Sequence, residues 1–202
     1  AGQRRALRGG RVGMILQDPK FSLNPVMTAG QQIVEAIRIG DRRVGGAGAK
    51  QRALAMLEQV HIREPERVFG LYPHELSGGM GQRVMIAMMV VREPDLLVAD
   101  EPTSALDVTV RLQVLSILDE LVTRRGMGLI LISHDLNLVS RFCDRILVMY
   151  AGRVVESLAA RDLHKAVHPY TRGLLSCLPS IDGSLEPLPV LSREASWAEA
   201  AP

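Results

Sequence analysis

Leu96-Leu97-Val98-Ala99-Asp100-Glu101-Pro102-Thr103-Ser104-Ala105-Leu106-Asp107 is an apolar run that ends in two adjacent carboxylates and a proline. Leu96 to Ala99 has the length of a strand. Its residues do not alternate with polar ones, which predicts burial on both faces, as in a parallel sheet covered by helices. Open sheets of that kind gather ligands outside the carboxyl ends of their strands. Two neighbouring acids are costly to hold there unless a cation or a proton is shared between them. Asp100 is expected to hold Mg²⁺, through water, and Glu101 to orient and deprotonate an attacking water. A helix-entry loop with two ordinary acids is the alternative.

Working outward, the spacing predicts a loop through Ala105, a helix over Val108 to Arg124 and a strand over Gly128 to Ile132. A short helix from Leu136, a strand over Ile146 to Met149 and a turn at Ala151-Gly152 follow. Upstream, Val12 to Leu16 reads as a strand stopped by Gln17-Asp18-Pro19, with Asn24-Pro25 as a second break, so a loop is expected there. Thr28 is placed to cap a helix whose buried side carries Ile33, Val34 and Ile37. Gly40 to Gly48 reads as a flexible linker. Ala49 to Val60 reads as an amphipathic helix through Ala53, Leu54, Leu57 and Val60, and His61 to Glu75 as loop or short helical turns. Gly78 to Val91 is an apolar helix opening on Ser77-Gly78-Gly79. Alternating strands and helices make this an α/β chain. Asp182 to Pro202, with three prolines and small polar residues, is expected to be a poorly ordered tail.

Three further points carry chemistry. Ser77-Gly78-Gly79 brings free backbone N–H groups, a hydroxyl and a positive dipole end to one place, where an anion or a plain serine cap would fit. His134, in Ile132-Ser133-His134-Asp135, follows a strand at the sheet edge that also carries Asp100 and Glu101. Gln17 also ends a strand and offers an amide oxygen to Mg²⁺ or water, or caps a turn.

Taken together, a glutamine after a strand, a helical insert, Leu76-Ser77-Gly78-Gly79 before a helix, Asp100 to Asp107 and Ser133-His134-Asp135 resemble the nucleotide-binding subunit of ABC transporters. The likeness runs to about Ser180. It implies a P-loop NTPase-like (RecA-like) parallel sheet core with an α-helical subdomain, ATP and Mg²⁺ as ligands, and a dimer that sandwiches ATP. Residues 1–18 and 93–160 would form a partial ATPase core, 19–92 the helical subdomain, and 161–202 a C-terminal extension. Gln17 would sense Mg²⁺ and the γ-phosphate. Leu76 to Met80 would be the signature that binds a γ-phosphate held by the opposite subunit, with Ser77, Gly78, Gly79 and Gln82 at the nucleotide. Asp100 and Glu101 would take the magnesium and catalytic-base roles, and Ser104 to Asp107 the loop across the dimer interface. His134 would contact the γ-phosphate.

Met80 at the fifth signature position, with Gln82 two residues on, is similar to the peptide and nickel importer branch. So are Gln17-Asp18-Pro19 followed by Ser22-Leu23-Asn24-Pro25, and His168-Pro169-Tyr170-Thr171 followed by Gly173-Leu174-Leu175. The implied partners are membrane permeases, a second ATPase subunit and, indirectly, an extracytoplasmic binding protein. The implied place is the cytoplasmic face of a bacterial inner membrane. His164 and His168 have the spacing of a helical metal pair, but Pro169 and the resemblance favour a structural role.

A nucleotide site of this class also needs G-x-x-x-x-G-K-[ST], whose amides wrap phosphates while the lysine neutralises charge. The 202 residues hold 24 basic side chains, and Lys20, Lys50 and Lys165 are the only lysines. None follows glycine and none precedes Ser or Thr. The Gly45-Gly46-Ala47-Gly48 run is therefore read as linker and not as a phosphate cradle. The expectation is a family member without its N-terminal strands and P-loop, inactive by itself.

Other classes fit less well. A net charge of +2 and 3% aromatic residues give little with which to hold a phosphate backbone or stack bases, so nucleic acid is not an expected partner. Arg4, Arg5, Arg8 and Arg11 read as ordinary surface charge. An ABC-type ATPase acting on DNA or ribosomes would carry long inserts, whereas Gln17 and Ser77 are 60 positions apart. A non-catalytic module that occupies a permease or partner ATPase is the other alternative. Cys143 and Cys177 are too far apart in sequence for a thiol motif, and neither a disulfide, a zinc site nor an iron-sulfur cluster is expected. No run approaches the ~20 apolar residues of a membrane span.

Overall fold

The computed structural model describes Leu7, residues 10–178 and Trp197, and forms two compact units, Ala1–Ile132 and Ser133–Pro202. The first unit is built on a three-stranded parallel sheet: β1 (Val12–Ile15), β2 (Leu96–Asp100) and β3 (Gly128–Ile132), with β2 in the middle. Its helices are α1 (Pro19–Ser22), α2 (Ala29–Gly40), α3 (Gly46–Gln59), α4 (Pro65–Phe69), α5 (Gly78–Val90) and α6 (Val108–Arg125). This is the α/β arrangement that the strand and helix periodicities predict. Among the described residues no helix is long and apolar enough to cross a membrane.

Local chemistry starts and stops these helices. Thr28 caps α2 through a reciprocal pair: its hydroxyl accepts from the Gln31 N–H at 3.3 Å, and the Gln31 side chain accepts from the Thr28 N–H at 2.9 Å. Ile33 and Ile37 are buried on the expected side of α2. Gln32, also buried, fastens the Ser22 to Asn24 turn by accepting from the Asn24 N–H and donating to the carbonyls of Asn24 and Met27. Helix α5 is apolar nearly all round, with Val84, Met85, Ile86, Ala87 and Val90 all buried, as a helix surrounded by other elements requires. It packs on α2, α3 and β1. Helix α6 ends at Gly126, whose φ of 62° suits the left-handed cap.

Four expectations need correction. Residues Pro19–Ser22 form a short helix where a loop was expected, because Asp18 accepts from the Lys20 N–H at 2.8 Å and Pro19 suits a first helical turn. The linker is shorter than Gly40 to Gly48: α3 begins at Gly46, with Gly45 accepting from the Ala49 N–H at 2.9 Å. Glycine weakens a helix by about 1 kcal/mol relative to alanine, and the complete burial of Ala49, Ala53 and Leu57 offsets that. The sheet is not sealed on both faces either. Ile15, Leu97 and Ala99 are fully buried on one face, while Met14, Leu16, Ile130 and Ile132 on the other are 42–49% exposed. The apolar composition reflects the parallel ladder, but α5 packs on β1 from the buried side, where the Gly13 Cα faces the Met89 carbonyl. Finally, a strand at Arg153–Ala159 escaped notice because Glu156 interrupts its apolar residues.

The second unit holds α7 (Leu136–Phe142), the antiparallel hairpin β4 (Arg145–Tyr150) and β5 (Arg153–Ala159), a 3₁₀ turn over Ala160–Lys165 and α8 (Pro169–Ser176). The hairpin turns at Ala151 and Gly152, with φ of 48° and 78°, as a two-residue connection with right-handed twist demands. Glu156 is buried and accepts from the N–H groups of Val167 at 2.7 Å and His168 at 3.3 Å, binding the start of α8 to β5. His168 caps α8, its Nδ1 accepting from the Tyr170 N–H at 3.2 Å. Tyr150, Tyr170 and Trp197 form an aromatic cluster with centroids 4.7–5.7 Å apart. The rest of the expected tail, Asp182 to Pro202, and Arg4, Arg5 and Arg8 lie outside the described residues. Cys143 and Cys177 are not joined in a disulfide.

Burial by itself would raise the Glu156 carboxyl, but the Thr171 side chain and the Val167 and His168 N–H groups hold it below the usual range. A depressed carboxylate stabilises the fold above its unfolded value, and that contribution fades as pH falls through the folded value. Glu156→Ala should destabilise the second unit by about 1–3 kcal/mol at neutral pH, since the buried His168 N–H and the part-buried Val167 N–H lose their acceptor. Denaturant unfolding at pH 7 and at pH 4 checks this, with the difference from wild type shrinking at the lower pH.

Candidate functional site

Parallel register places the site. Ile15 on β1 lies opposite Ala99 on β2, and Asp100 opposite Ile132 on β3, so the residues leaving β1 and β2 emerge side by side. Gln17 Nε2 donates to Glu101 Oε2 at 3.4 Å, a long contact across the two strand ends. Asp100 is half-buried at the last position of β2. Glu101 turns out of the strand with φ of 43°, in the left-handed region that a side-chain-bearing residue adopts at a cost of about 1–3 kcal/mol. Three hydrogen bonds hold it there. Its N–H donates to the Ile132 carbonyl at 3.0 Å, and its own carbonyl accepts from the Ser104 N–H at 3.2 Å and the Ser104 hydroxyl at 3.1 Å.

Around these strand ends lies an open cavity of about 490 Å³ lined by Leu16, Gln17, Asp18, Phe21, Ser22, Asp100, Ser104 and Ala105. Phe21 is 91% exposed on its rim. Neither Phe21 nor Ser22 was singled out as a site residue in the sequence; both reach the cavity only because Pro19–Ser22 coils into a helical turn. Two carboxylates and an amide oxygen form a hard oxygen set. Among the described residues no group of three or more His, Cys, Asp or Glu side chains converges. That donor set fits Mg²⁺, which keeps waters and takes one or two carboxylates together with phosphate oxygens.

Ser77 caps α5, its hydroxyl accepting from the Met80 N–H at 3.3 Å, and Ser77 and Gly78 are exposed. The serine is therefore a cap, and the turn it opens is exposed to solvent. Gln82 has a placement different from a nucleotide contact, since it is 1% exposed within α5. Asp107 is likewise engaged in the fold, capping α6 by accepting from the Val110 N–H at 3.0 Å. His134, exposed, belongs to the second unit, where Asp135 caps α7 by accepting from the Leu138 N–H at 3.1 Å. Two of the lysines are committed elsewhere: Lys50 lies over the Phe69 ring at 5.6 Å, and Lys165 donates to Asp162 at 2.7 Å.

Comparison with known proteins gives the family. Residues 2–104 match the family described as ABC transporter. A probable peptide ABC transporter ATP-binding protein of Sinorhizobium fredii is 51% identical over 88% of this chain and 53% of its own length. An oligopeptide transport ATP-binding protein of Bacillus subtilis is 47% identical over 90% of this chain and 56% of its own length. The chain spans about half the length of these relatives. A solved dimeric ATP-binding cassette in a post-hydrolysis state, bound to ADP and Pi, superposes with a TM-score of 0.70 at 28% identity, over 79% of this chain and 67% of that one.

Asp107 gives a direct test of cap against charge. Asp107→Ala should destabilise the first unit by about 0.5–2 kcal/mol, whereas Asp107→Asn, an equally good cap, should stay within about 0.5 kcal/mol of wild type. Denaturant unfolding of both variants checks it.

Proposed function

The chain belongs to the ABC transporter family, and from that we propose that it serves as the ATP-hydrolysing subunit of an importer for peptides or a related small cargo. The observation that carries the reading is the juxtaposition of Gln17 with Asp100 and Glu101 at the ends of neighbouring parallel strands, with the Gln17 amide 3.4 Å from the Glu101 carboxylate. The resemblance of the relatives, named as peptide transport proteins, supports the cargo class.

In this reading Asp100 and the Gln17 amide oxygen would hold Mg²⁺, which when bound neutralises charge on the β- and γ-phosphates. Glu101 orients a water and accepts its proton as the water attacks the γ-phosphoryl group. The left-handed turn at Glu101 is tied to the sheet, since its N–H donates to the Ile132 carbonyl at 3.0 Å. Gln17 donates to the same carboxylate and so fixes its orientation. Ser77 and the N–H groups of Gly78 and Gly79 would bind the γ-phosphate of an ATP held by a second ATPase subunit. His134 would contact the γ-phosphate as well. Residues 1–18 and 93–160 serve as the ATPase core, 19–92 as the helical subdomain and 161–202 as the extension. Permeases would dock near Gln17 and the helical insert, placing the chain at the cytoplasmic face of the membrane by way of its partners.

A second reading, a binding module without its own turnover, rests on one observation: none of the three lysines sits in a G-x-x-x-x-G-K-[ST] sequence. The two readings separate in a complete complex, where only the first expects turnover that depends on Glu101. The purified 202-residue chain should hydrolyse no ATP measurably in a phosphate-release assay, and Glu101-dependent turnover in that preparation would overturn the expectation. In a complete complex with permeases and partner ATPase, Glu101→Gln should lower the rate by at least about 100-fold and accumulate the ATP-bound closed dimer. Wild-type turnover in that variant removes Glu101 as the base.

A further inference from the structure

The two glycines of Ser77-Gly78-Gly79 face protein as well as solvent. A Cβ on Gly79 would stand 2.6 Å from Val110 Cγ1 and 3.7 Å from Val110 Cβ and Cγ2, closer than real carbon contacts allow at the first of these. A Cβ on Gly78 would meet Leu106 Cδ2 at 3.8 Å. Leu106 and Val110 are four residues apart and flank the start of α6, so the loop after Asp100-Glu101 and the first turn of α6 form the floor on which this turn rests.

Val110 is poorly able to yield. A β-branched side chain in a helix has one strongly preferred rotamer, and the Val110 N–H is tied to the Asp107 cap at 3.0 Å. The two helices are also joined farther along. Arg83 on α5 donates to Gln113 on α6 and, at 2.9 Å, to the His61 carbonyl. Arg125 at the end of α6 donates to the Val90 carbonyl at 3.0 Å and to Gln59 at 2.7 Å. These bonds tie α5 to α6 along their length and oppose a separation at their N-terminal contact.

We propose that Val110 is a positioning residue for the signature: seated against Gly79, it sets the height at which Ser77, Gly78 and Gly79 are presented to a nucleotide on a second subunit. This rests on the ATPase reading above. On this view Gly79 is required to be glycine by the intrachain contact, apart from any need for close approach to phosphate. The Asp107 cap then carries the position of the catalytic loop into the signature through one side chain.

The test is a rescue in the complete transporter complex, comparing Gly79→Ala, Val110→Ala and the double variant. Gly79→Ala should lower kcat about tenfold or more, with KM for ATP within about twofold, because the phosphate grip lies on the partner. Val110→Ala, which removes the seat itself, should lower kcat about threefold, and the double variant should return to that level. A double variant as slow as Gly79→Ala, or a Gly79→Ala complex at the wild-type rate, overturns the assignment. Should Gly79→Ala fail to fold, judged by a lost thermal transition, Val110→Ile pushes on Gly79 from the other side. It should lower kcat about fivefold, and an unchanged kcat overturns the assignment equally. A wild-type complex without ATP turnover overturns the ATPase reading instead and leaves the packing of Val110 on Gly79 to be tested by unfolding, where the same rescue must appear in the midpoint.

Discussion

Backbone hydrogen bonding on both sides of β2 is the constraint on which the site depends. A strand paired with two parallel neighbours has no freedom to shift register, because each one-residue slip would turn its side chains to the opposite face. With β2 held between β1 and β3, Gln17 and Glu101 must leave the sheet at the same level. The Glu101 N–H extends the ladder one residue past Asp100 by donating to Ile132, and that bond supports the left-handed turn. Strain at Glu101 is thus carried by the sheet. A loop alone would relax it.

The helical part is organised differently. Its hub is α5, buried on nearly every side, and its contacts rely on small residues: Gly81 lies against Pro19 at 3.4 Å, and Gly79 against Val110 at 2.6 Å, as measured to the position of an added Cβ. The strand-end turn that carries Gln17 and the helix that follows the carboxylates therefore both touch the first turns of α5. A movement of any one of them is felt by the other two.

In the second unit, polar burial does what a large core does elsewhere. Glu156 within β5 collects the N–H groups that open α8, and the His168 cap and the Tyr150, Tyr170 and Trp197 cluster complete the packing. The His168-Pro169-Tyr170-Thr171 stretch, which in sequence only marked a branch of the family, is here a helix start fixed to a strand.

Much of this was legible in the residues themselves. Strand and helix positions follow from periodicity, and caps such as Thr28 and Ser77 from the need of a helix terminus for acceptors, so Leu96–Asp100, Gly78–Val90 and Val108–Arg125 lie within a residue or so of expectation. The strand-end positions of Asp100, Glu101 and Gln17 and the helix-start position of Ser77-Gly78-Gly79 were legible because they depend on neighbouring residues alone. Other features depended on partners distant in the chain. Burial of Gln82, the helical start at Gly46, the open sheet face and the strand around Glu156 each arise from contacts that no short window contains. The sequence by itself determined which residues could do chemistry, since that is a property of side chains and their immediate backbone. Only the tertiary structure decided which of them meet, because the contact of Gln17 with Glu101 and of Gly79 with Val110 is set by sheet register and helix packing across many intervening residues.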